Sequence, residues 1–334
     1  ITTYTIADYA SVVIDLFADI RSPYNDVITA DFGEYVSWIE TAQWDRLETF
    51  DLQTFLSTEV TETTEITETT EITETDEYPS IDACGKALAK SKRSRIHTGI
   101  GVSDIHIAGK FRDEKYGKTI AEKRVKLIKM AVEAVKMAKG LAAEVEFYAE
   151  DAGRADPAYL FEMLEAAIGA GANVVNIPDT TGYTVPEQFG ALIRSICEKV
   201  PNIGKATISV HCHDDLGLAV ANSLAGVRNG ARQVEGTING IGERAGNAAL
   251  EEVVMGLHTR TDYYGLRTRL DTREFHRTSR LVADMLGMVV PPNKAVVGGN
   301  AFSHSSGIHV DGFLKQRETY EIMRPEDVGF TESR

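Results

Sequence analysis

The chain has 334 residues, 43% of them hydrophobic and 25% charged, which suffices for one large or two ordinary domains. It contains no apolar run of about 18 residues, which excludes a membrane-spanning helix, and its first residues do not resemble a secretory signal. Three scattered cysteines, Cys84, Cys197 and Cys212, are too few for a disulfide framework and indicate a reducing compartment. We therefore expect a cytoplasmic protein without a membrane partner.

The net charge of −15 is distributed unevenly along the chain. Residues 1–80 contain 18 acidic and two basic residues, whereas residues 81–334 contain 32 acidic and 33 basic residues. The near-neutral part offers no basic surface for nucleic acid. Residues 58–77 nearly repeat a six-residue unit of Thr, Glu and Ile, a polar tract that we expect to be solvated or disordered. An exposed strand is the alternative, because β-branched and acidic residues alternate there.

Apolar runs and helical patterns alternate regularly from residue 95 onward. Strands are predicted at residues 95–100, 143–149, 173–179, 206–212 and 232–238, each followed by a helical pattern. Such repeats predict βα units around a parallel sheet, as a doubly wound sheet or a closed barrel. Polar residues collect at the carboxyl ends of the strands, where barrel enzymes place their chemistry, so we predict an α/β protein of the (β/α)8 TIM-barrel type.

Capping residues mark two helix starts. Asp156 followed by Pro157 supplies an N-cap and a first helical residue, and the pattern continues until Gly169 and Gly171 stop it. For the next helix, residues 184 and 187 (Thr and Glu) have the spacing of a capping box.

The sharpest candidate site is His211-Cys212-His213, which closes the predicted strand at 206–212. Residues two apart on a strand point the same way, so His211 and His213 project together while Cys212 faces the opposite side. Two imidazoles at the mouth of a barrel provide half of a divalent-metal site. A hydrogen-bonded pair of structural histidines is the alternative.

Two other strand ends carry polar residues. Glu146, Glu150 and Asp151 cluster at one of them, where carboxylates can act as acid, base or ligand. Surface acids paired with Arg154 are the alternative there. Thr180 lies in a turn whose hydroxyls could hold a substrate carboxylate, although the turn alone is ordinary.

Two later segments complete the set of candidates. The Gly-rich segment 239–247 lacks the Lys-Ser/Thr of a P-loop and the spacing of a dinucleotide fingerprint, so a tight turn is its alternative interpretation. Its informative residues, expected to face the barrel mouth, are Glu243, Arg244 and Asn247. Further along, residues 300–312 are typical of a site loop, in which residues 304 and 309 are both histidines that compete for a proton-transfer role.

Together these segments resemble the 2-isopropylmalate synthase family over residues 93–330. The motifs that carry the likeness, in chain order, are RIHTGIGVSDIH, VEFYAEDAGRADP, NIPDTTGYTVPEQFGALI, ISVHCHDDLGLAVANSLAGVRNGARQVEGTINGIGERAGNAALEEVVM and PNKAVVGGNAFSHSSGIHVDGFLKQRETYEIM. The resemblance implies a metal-dependent TIM barrel over residues 1–265 and a C-terminal linker or subdomain over residues 266–334. It also implies condensation of acetyl-CoA with 3-methyl-2-oxobutanoate in leucine biosynthesis.

The resemblance further implies the residues of the metal and substrate sites. By motif match, His211 and His213 bind a divalent metal ion and Asn247 completes or supports the site. Zn, Mn and Mg suit such ligands alike. Thr180 would hold the substrate carboxylate, and His97 would line the same pocket.

Proton transfer and assembly are implied in the same way. Glu150 and His309 match the residues assigned to proton transfer in the family. The segment that carries His309 commonly completes a site in a dimer, so the resemblance implies a homodimer or homotetramer acting on small-molecule substrates.

The beginning of the chain departs from the family. The family's first strand carries Asp-Thr-Thr-Leu-Arg-Asp-Gly, whose last Asp is a metal ligand, and this motif is absent. By distance from the RIHT motif, Asp15 is the nearest candidate ligand. The abrupt change near residue 90 suggests that residues 1–90 do not faithfully record a native barrel. By the resemblance, we expect residues 1–334 to contain no counterpart of the family's leucine-sensing C-terminal domain.

Two alternatives stay open beside the synthase. A sister acyltransferase, citramalate or homocitrate synthase, would use pyruvate or 2-oxoglutarate as the keto acid. A non-catalytic member without its Asp ligand would serve as a binding subunit and would bind metal weakly.

Overall fold

The computed structural model describes the backbone of residues 18–19, 66–71, 79–91 and 93–331. The chain divides into two compact units, which we treat separately. The sheet unit comprises Gln43–Glu235, and the C-terminal unit comprises Gly236–Arg334 together with Ile1–Ala42. The predicted domain boundary after residue 265 stays a prediction.

A parallel sheet forms the centre of the sheet unit. Its strands are β2 (Ile66–Glu71), β3 (Ser94–Gly101), β4 (Glu144–Glu150), β5 (Val174–Asp179), β6 (Thr207–Cys212) and β7 (Gln233–Glu235). They pair in parallel in chain order from β2 to β7. All positions of β5 are buried, as expected for parallel strands covered on both faces.

The polar tract at 58–77 differs from its prediction in one part. Residues 66–71 form β2, whose backbone pairs with β3 from Ile66↔Ser94 to Glu71↔Gly99. The expectation of disorder is therefore wrong for these six residues, because a parallel neighbour takes up their backbone hydrogen bonds. The rest of the tract and Asp15 lie outside the described residues.

Helices alternate with the strands along the sheet unit. They are α1 (Pro79–Ala87), α2 (Asp104–Lys110), α3 (Ile120–Leu141), α4 (Pro157–Ala170), α5 (Pro186–Lys199) and α6 (Ala219–Arg228). Short 3₁₀ turns lie at Leu88–Lys90, Glu114–Tyr116, Ala152–Arg154 and Ile203–Lys205. The side chains between helices and sheet include Ile96, Leu127, Phe147, Leu160 and Phe189, all fully buried.

The start of α4 confirms one predicted cap, and the start of α5 contradicts the other. Asp156 accepts the Tyr159 N–H at 3.0 Å ahead of Pro157. In the next connection, Thr184 donates its hydroxyl to Asp179 at 2.7 Å, and α5 begins at Pro186 without a side-chain cap. The capping-box prediction is wrong because the buried Asp179 carboxylate takes the hydroxyl that the cap required.

The C-terminal unit is mainly helical. It contains β1 (Ala18–Asp19) and the helices α7 (Leu250–Thr259), α8 (Thr261–Tyr264), α9 (Phe275–Leu286) and α10 (Gly307–Lys315). Its 3₁₀ turns are Ile238–Gly240, Thr272–Glu274, Arg317–Thr319 and Pro325–Val328. Its core packs Val254 and Met255 against Phe275, Val282 and Val328. Helix α10 buries none of its residues within the chain.

Two further observations concern the apolarity of the helices and the state of the cysteines. Among the described helices, none has both the length and the apolarity required to cross a bilayer. Cys84 and Cys212 are buried free thiols, and Cys197 is an exposed one.

Candidate functional site

A buried polar network joins four neighbouring strands on one face of the sheet. Glu235 of β7 accepts hydrogen bonds from Ser209 Oγ, at 2.5 Å, and from the side-chain amide of Asn176. Gln233 donates to Glu146 of β4 at 3.1 Å. These hydrogen bonds offset most of the cost of burying the polar groups, although Asn176 Oδ1 meets no donor among the described residues.

The predicted common orientation of His211 and His213 is observed. Their ring centroids lie 5.0 Å apart. The Nδ1 atom of His211 lies 3.2 Å from Oε2 of Glu235, whose side chain is fully buried. A carboxylate on Nδ1 holds the proton there and directs the other ring nitrogen, Nε2, toward a ligand. Cys212 faces the opposite side, and burial raises the pKa of its thiol.

His97 of β3 lies beside this pair as a neutral imidazole. Burial lowers the pKa of His97 to about 4, with the neighbouring His211 and Arg95 acting in the same direction and Glu146 opposing them. Its ring stands edge-on to Tyr148 with centroids 4.8 Å apart. At neutral pH His97 therefore offers a hydrogen-bonding nitrogen without a charge, as a pocket for a polar substrate requires.

A second set of ligand atoms lies deeper in the network. One atom each of His97, Glu146 and Glu235 lie within 4.8 Å of one another, close enough to share a metal ion. Arg95 Nη1 already places a guanidinium 3.2 Å from Glu146 Oε2. Burial and the adjacent Glu235 raise the pKa of Glu146, which favours a shared proton at this pair. The chain thus balances part of this charge internally.

Glu150 ends β4 in an environment different from that of Glu146. Lys110 Nζ contacts both carboxylate oxygens of Glu150, at 2.7 and 2.9 Å, and Nδ1 of His106 lies 3.3 Å from Oε2. Burial alone would raise the pKa of Glu150, but His106 and Lys110 outweigh it and the pKa lies below its ordinary value. The predicted cluster of three acids therefore separates into a buried Glu146 and a strand-end pair.

Asp151 and Thr180 form the other part of that strand end. Asp151 is fully buried and pairs with Arg154 at 2.9 Å, which is the structural role considered for it from the sequence. Its backbone N–H donates to Thr180 Oγ1 at 2.9 Å. The Thr180 hydroxyl is therefore fixed beside the ends of β4 and β5.

The Gly-rich segment fixes Asn247 within the C-terminal unit. The Nδ2 atom of Asn247 donates to the Ile241 carbonyl at 3.1 Å, while its Oδ1 atom is buried and meets no hydrogen-bond donor among the described residues. Such an oxygen suits a cation. Glu243 and Arg244 are exposed and lie 3.4 Å from each other.

The two competing histidines also lie in the C-terminal unit. His309 is exposed on α10 and stacks on Tyr320 with ring centroids 4.2 Å apart. His304 lies 3.9 Å from Glu321 and packs against Phe313. His309 is thus the one presented to solvent, whereas His304 is held within the unit.

Sequence reasoning missed Glu235, Arg95 and His106. A signal for Glu235 existed, because it lies two residues after Gln233 on a predicted strand and so shares its face. Its role became visible only through the register His211↔Glu235, which joins two strands. His106 lay within a quoted motif but follows its strand by a turn of helix, so periodicity did not single it out.

Comparison with known proteins shows the family. A family model described as HMGL-like matches residues 36–282, about three quarters of the chain. The chain belongs to the HMGL-like family. A second model, homocitrate synthase post-HMGL domain-like, matches residues 296–334 of this HMGL-like chain.

Curated relatives confirm the resemblance seen in the sequence. A 2-isopropylmalate synthase of Nitrosomonas eutropha is 57% identical over 75% of this HMGL-like chain and 47% of its own length. One of Pelotomaculum thermopropionicum is 56% identical over 77% of this chain and 49% of its own. The chain thus spans about half the length of the curated relatives it matches.

A solved structure supports the fold class of this HMGL-like chain. Hydroxymethylglutaryl-CoA lyase of Pseudomonas aeruginosa matches with a TM-score of 0.51 at 18% identity, over 67% of this chain and 71% of that one. With the parallel strands and alternating helices, this confirms the predicted α/β fold of the TIM-barrel type.

Proposed function

We propose that the chain forms the catalytic part of a 2-isopropylmalate synthase, which condenses acetyl-CoA with 3-methyl-2-oxobutanoate and releases CoA. The observation that carries the proposal is the pair of imidazoles at the end of β6, with Glu235 holding Nδ1 of His211. It supports this function because the chain is 55–57% identical to relatives of that name.

The keto acid would bind where β3, β5 and β6 end. The uncharged His97 can donate to or accept from the substrate, and the Thr180 hydroxyl can donate to its carboxylate. His211 and His213 would hold a divalent ion, and Asn247 stays a supporting ligand by motif match alone. When bound, such an ion supplies Lewis-acid polarisation of the substrate carbonyl.

Glu150 is the proposed base at the acetyl methyl group. Its carboxylate takes the methyl proton, and the electron pair of the broken C–H bond becomes the enolate. The enolate carbon then attacks the keto carbonyl carbon, so that the new C–C bond forms as the C=O π bond breaks and its electron pair moves to the oxygen, which takes a proton from water. Water then adds its oxygen to the thioester carbon, the C–S bond breaks, and the sulfur leaves with a proton as free CoA thiol. His309 stays a motif-based candidate for proton transfer.

The direct test follows the release of free CoA thiol. Acetyl-CoA is offered with 3-methyl-2-oxobutanoate, pyruvate or 2-oxoglutarate in parallel, first with a chelator and then with Zn²⁺, Mn²⁺ or Mg²⁺ restored. We expect metal-dependent turnover that is fastest with 3-methyl-2-oxobutanoate. A preference for pyruvate or 2-oxoglutarate would assign the citramalate or homocitrate reaction instead. No turnover with any keto acid would refute the synthase.

A pair of variants tests whether His211 binds the metal ion. His211→Ala removes one proposed ligand, so metal affinity should fall by more than the roughly 10–100-fold that loss of a supporting residue costs. The affinity is measured by competition with a chromophoric chelator. His258→Ala, at an exposed position of α7, is the matched control and should bind metal as the wild type does. Equal affinities in both variants would place the metal elsewhere.

The remaining properties are proposed on the same basis. The partners would be the 2-keto acid and acetyl-CoA, the assembly a homodimer or homotetramer, and the compartment the cytoplasm.

A further inference from the structure

His106 lies between the two carboxylates at the end of β4. Its Nδ1 atom lies 3.3 Å from Oε2 of Glu150, and its Nε2 atom lies 3.6 Å from Oδ2 of Asp151. The side chain of His106 is 16% exposed, so its ring borders both a carboxylate pair and solvent.

Ser103 and Gly101 hold the His106 ring in this position. Ser103, the N-cap of α2, accepts the His106 N–H at 3.1 Å and donates its hydroxyl to Asp151 at 2.5 Å. Gly101 leaves the space for the contact, because a Cβ atom there would lie 2.9 Å from His106 Cβ and 3.3 Å from Glu150 Oε2. The approach of His106 to Glu150 is therefore fixed by packing and capping.

The two ring nitrogens of His106 face one carboxylate each. A neutral imidazole can donate to one of the two carboxylates, whereas an imidazolium can donate to both. Each carboxylate also has its own cation, Lys110 on Glu150 and Arg154 on Asp151. The ring therefore joins two carboxylates whose charges are already paired.

Glu150 also needs a nearby group that accepts the proton it acquires. Because His106 and Lys110 hold the pKa of Glu150 below its ordinary value, its protonated form is a ready donor. Nδ1 of His106 lies 3.3 Å from Oε2 of Glu150, a distance that can shorten to a hydrogen bond during a reaction.

We propose that His106 is a positioning residue that orients Glu150 and receives the proton which Glu150 removes from the acetyl methyl group. The inference rests on the proposed function. The methyl C–H bond breaks and an O–H bond forms on Glu150. That O–H bond then breaks as an N–H bond forms at Nδ1 of His106. Asp151 stabilises the resulting imidazolium, which returns the proton to solvent.

The first test compares turnover in His106→Gln with that of the wild type and of His258→Gln, the matched exposed control. We expect kcat of His106→Gln to fall by about 100-fold, the scale of one lost proton-transfer group, with KM values little changed. Added imidazole should restore part of kcat in His106→Gln and leave Glu150→Gln unaffected. An unchanged kcat, or a loss that imidazole does not restore, would overturn the proposal.

The second test does not depend on turnover. The ring ¹⁵N resonances of His106 are recorded in the wild type and in Glu150→Gln, which removes the negative charge next to Nδ1. We expect the Nδ1 resonance to move and that of His258 to stay in place. An unmoved Nδ1 resonance would overturn the contact. A wild type without turnover would instead refute the synthase and leave this measurement valid.

Discussion

Burial determines the protonation of individual side chains where β3 meets β4. Burial favours the neutral form of His97, and it favours the protonated form of Glu146, the register partner of His97 on β4. Both shifts follow from the cost of placing charge in a poorly solvated interior. A neutral imidazole and a protonated carboxyl can each donate a hydrogen bond, so this part of the network offers donors without a buried charge.

The neutral His97 should make the fold sensitive to mild acid. Its pKa is about 4 in the folded chain against 6.5 as the reference, so the unfolded chain binds the proton more tightly. The stabilisation is complete above pH 6.5 and is lost as the pH falls toward 4. Between about pH 7 and about pH 5 the loss amounts to about 2 kcal/mol.

Urea unfolding of the wild type and of His97→Gln at these two pH values, with chelator present, measures the effect. The carboxylates remote from His97 contribute equally to both proteins, so the difference between them reports the imidazole together with its coupling to Glu146. The wild type should lose about 2 kcal/mol more than His97→Gln on acidification. Equal losses would show that His97 is not buried as a neutral ring.

At the level of elements, both ends of α4 are set by residues that lie next to them in the sequence. Helix α4 begins at Pro157 because Asp156 caps it, and it ends at Ala170 because Gly171 adopts a φ of 122°, which few other residues tolerate. The cap should therefore be a measurable part of the stability.

Asp156→Ala is expected to lower the free energy of unfolding by about 1 kcal/mol, the usual value of an N-cap. Glu165→Ala, at an exposed position of the same helix, serves as the control and should stay within about 0.5 kcal/mol of the wild type. Thermal or urea unfolding monitored by circular dichroism gives both values. A loss of equal size in the control would mean that the cap hydrogen bond adds nothing.

The sequence predicted β3 to β6 to within one or two residues, because β-branched apolar runs bounded by polar turns specify buried strands. Strand β7 is shorter than predicted and ends at Glu235. The failures involve partners distant in the chain. Thr184 turned to Asp179, and β2 formed from a polar tract because β3 lay beside it. The local periodicity of the sequence does not show which distant segments become neighbours.

For the candidate site, too, the sequence predicted the local features and missed the contacts between distant elements. The shared face of His211 and His213 follows from the strand period, so it could be read directly. The support of His211 by Glu235 and of Glu150 by His106 depends on which elements become adjacent. The roles assigned to Asn247 and His309 stay predictions that the variants above and their counterparts can test.

At the level of the whole molecule, the C-terminal unit exposes apolar side chains on and beside α10. Ile308 and Leu314 are each 76% exposed, and Ile322 is 78% exposed. Clustered exposed apolar groups are typical of protein contacts, which agrees with the proposed homo-oligomer.

Sedimentation equilibrium should therefore give a mass of at least twice the 36.6 kDa of one chain. The double variant Ile308→Ser with Leu314→Ser should shift the mass toward the monomer, because it removes apolar area from the contact. Val125→Ser, at an exposed position of α3, should leave the mass unchanged. A monomeric wild type would refute the oligomer.

The alternation of side chains along β6 also has a practical consequence for labelling. Since Cys212 turns away from the two imidazoles into the core and Cys84 is buried too, the thiol of Cys197 on α5 is the exposed one of the chain's three. Partial burial raises the pKa of the Cys197 thiol, so a maleimide should react with it best in mildly alkaline buffer. A fluorescent or spin probe could thus be attached at one defined position, without first replacing any cysteine.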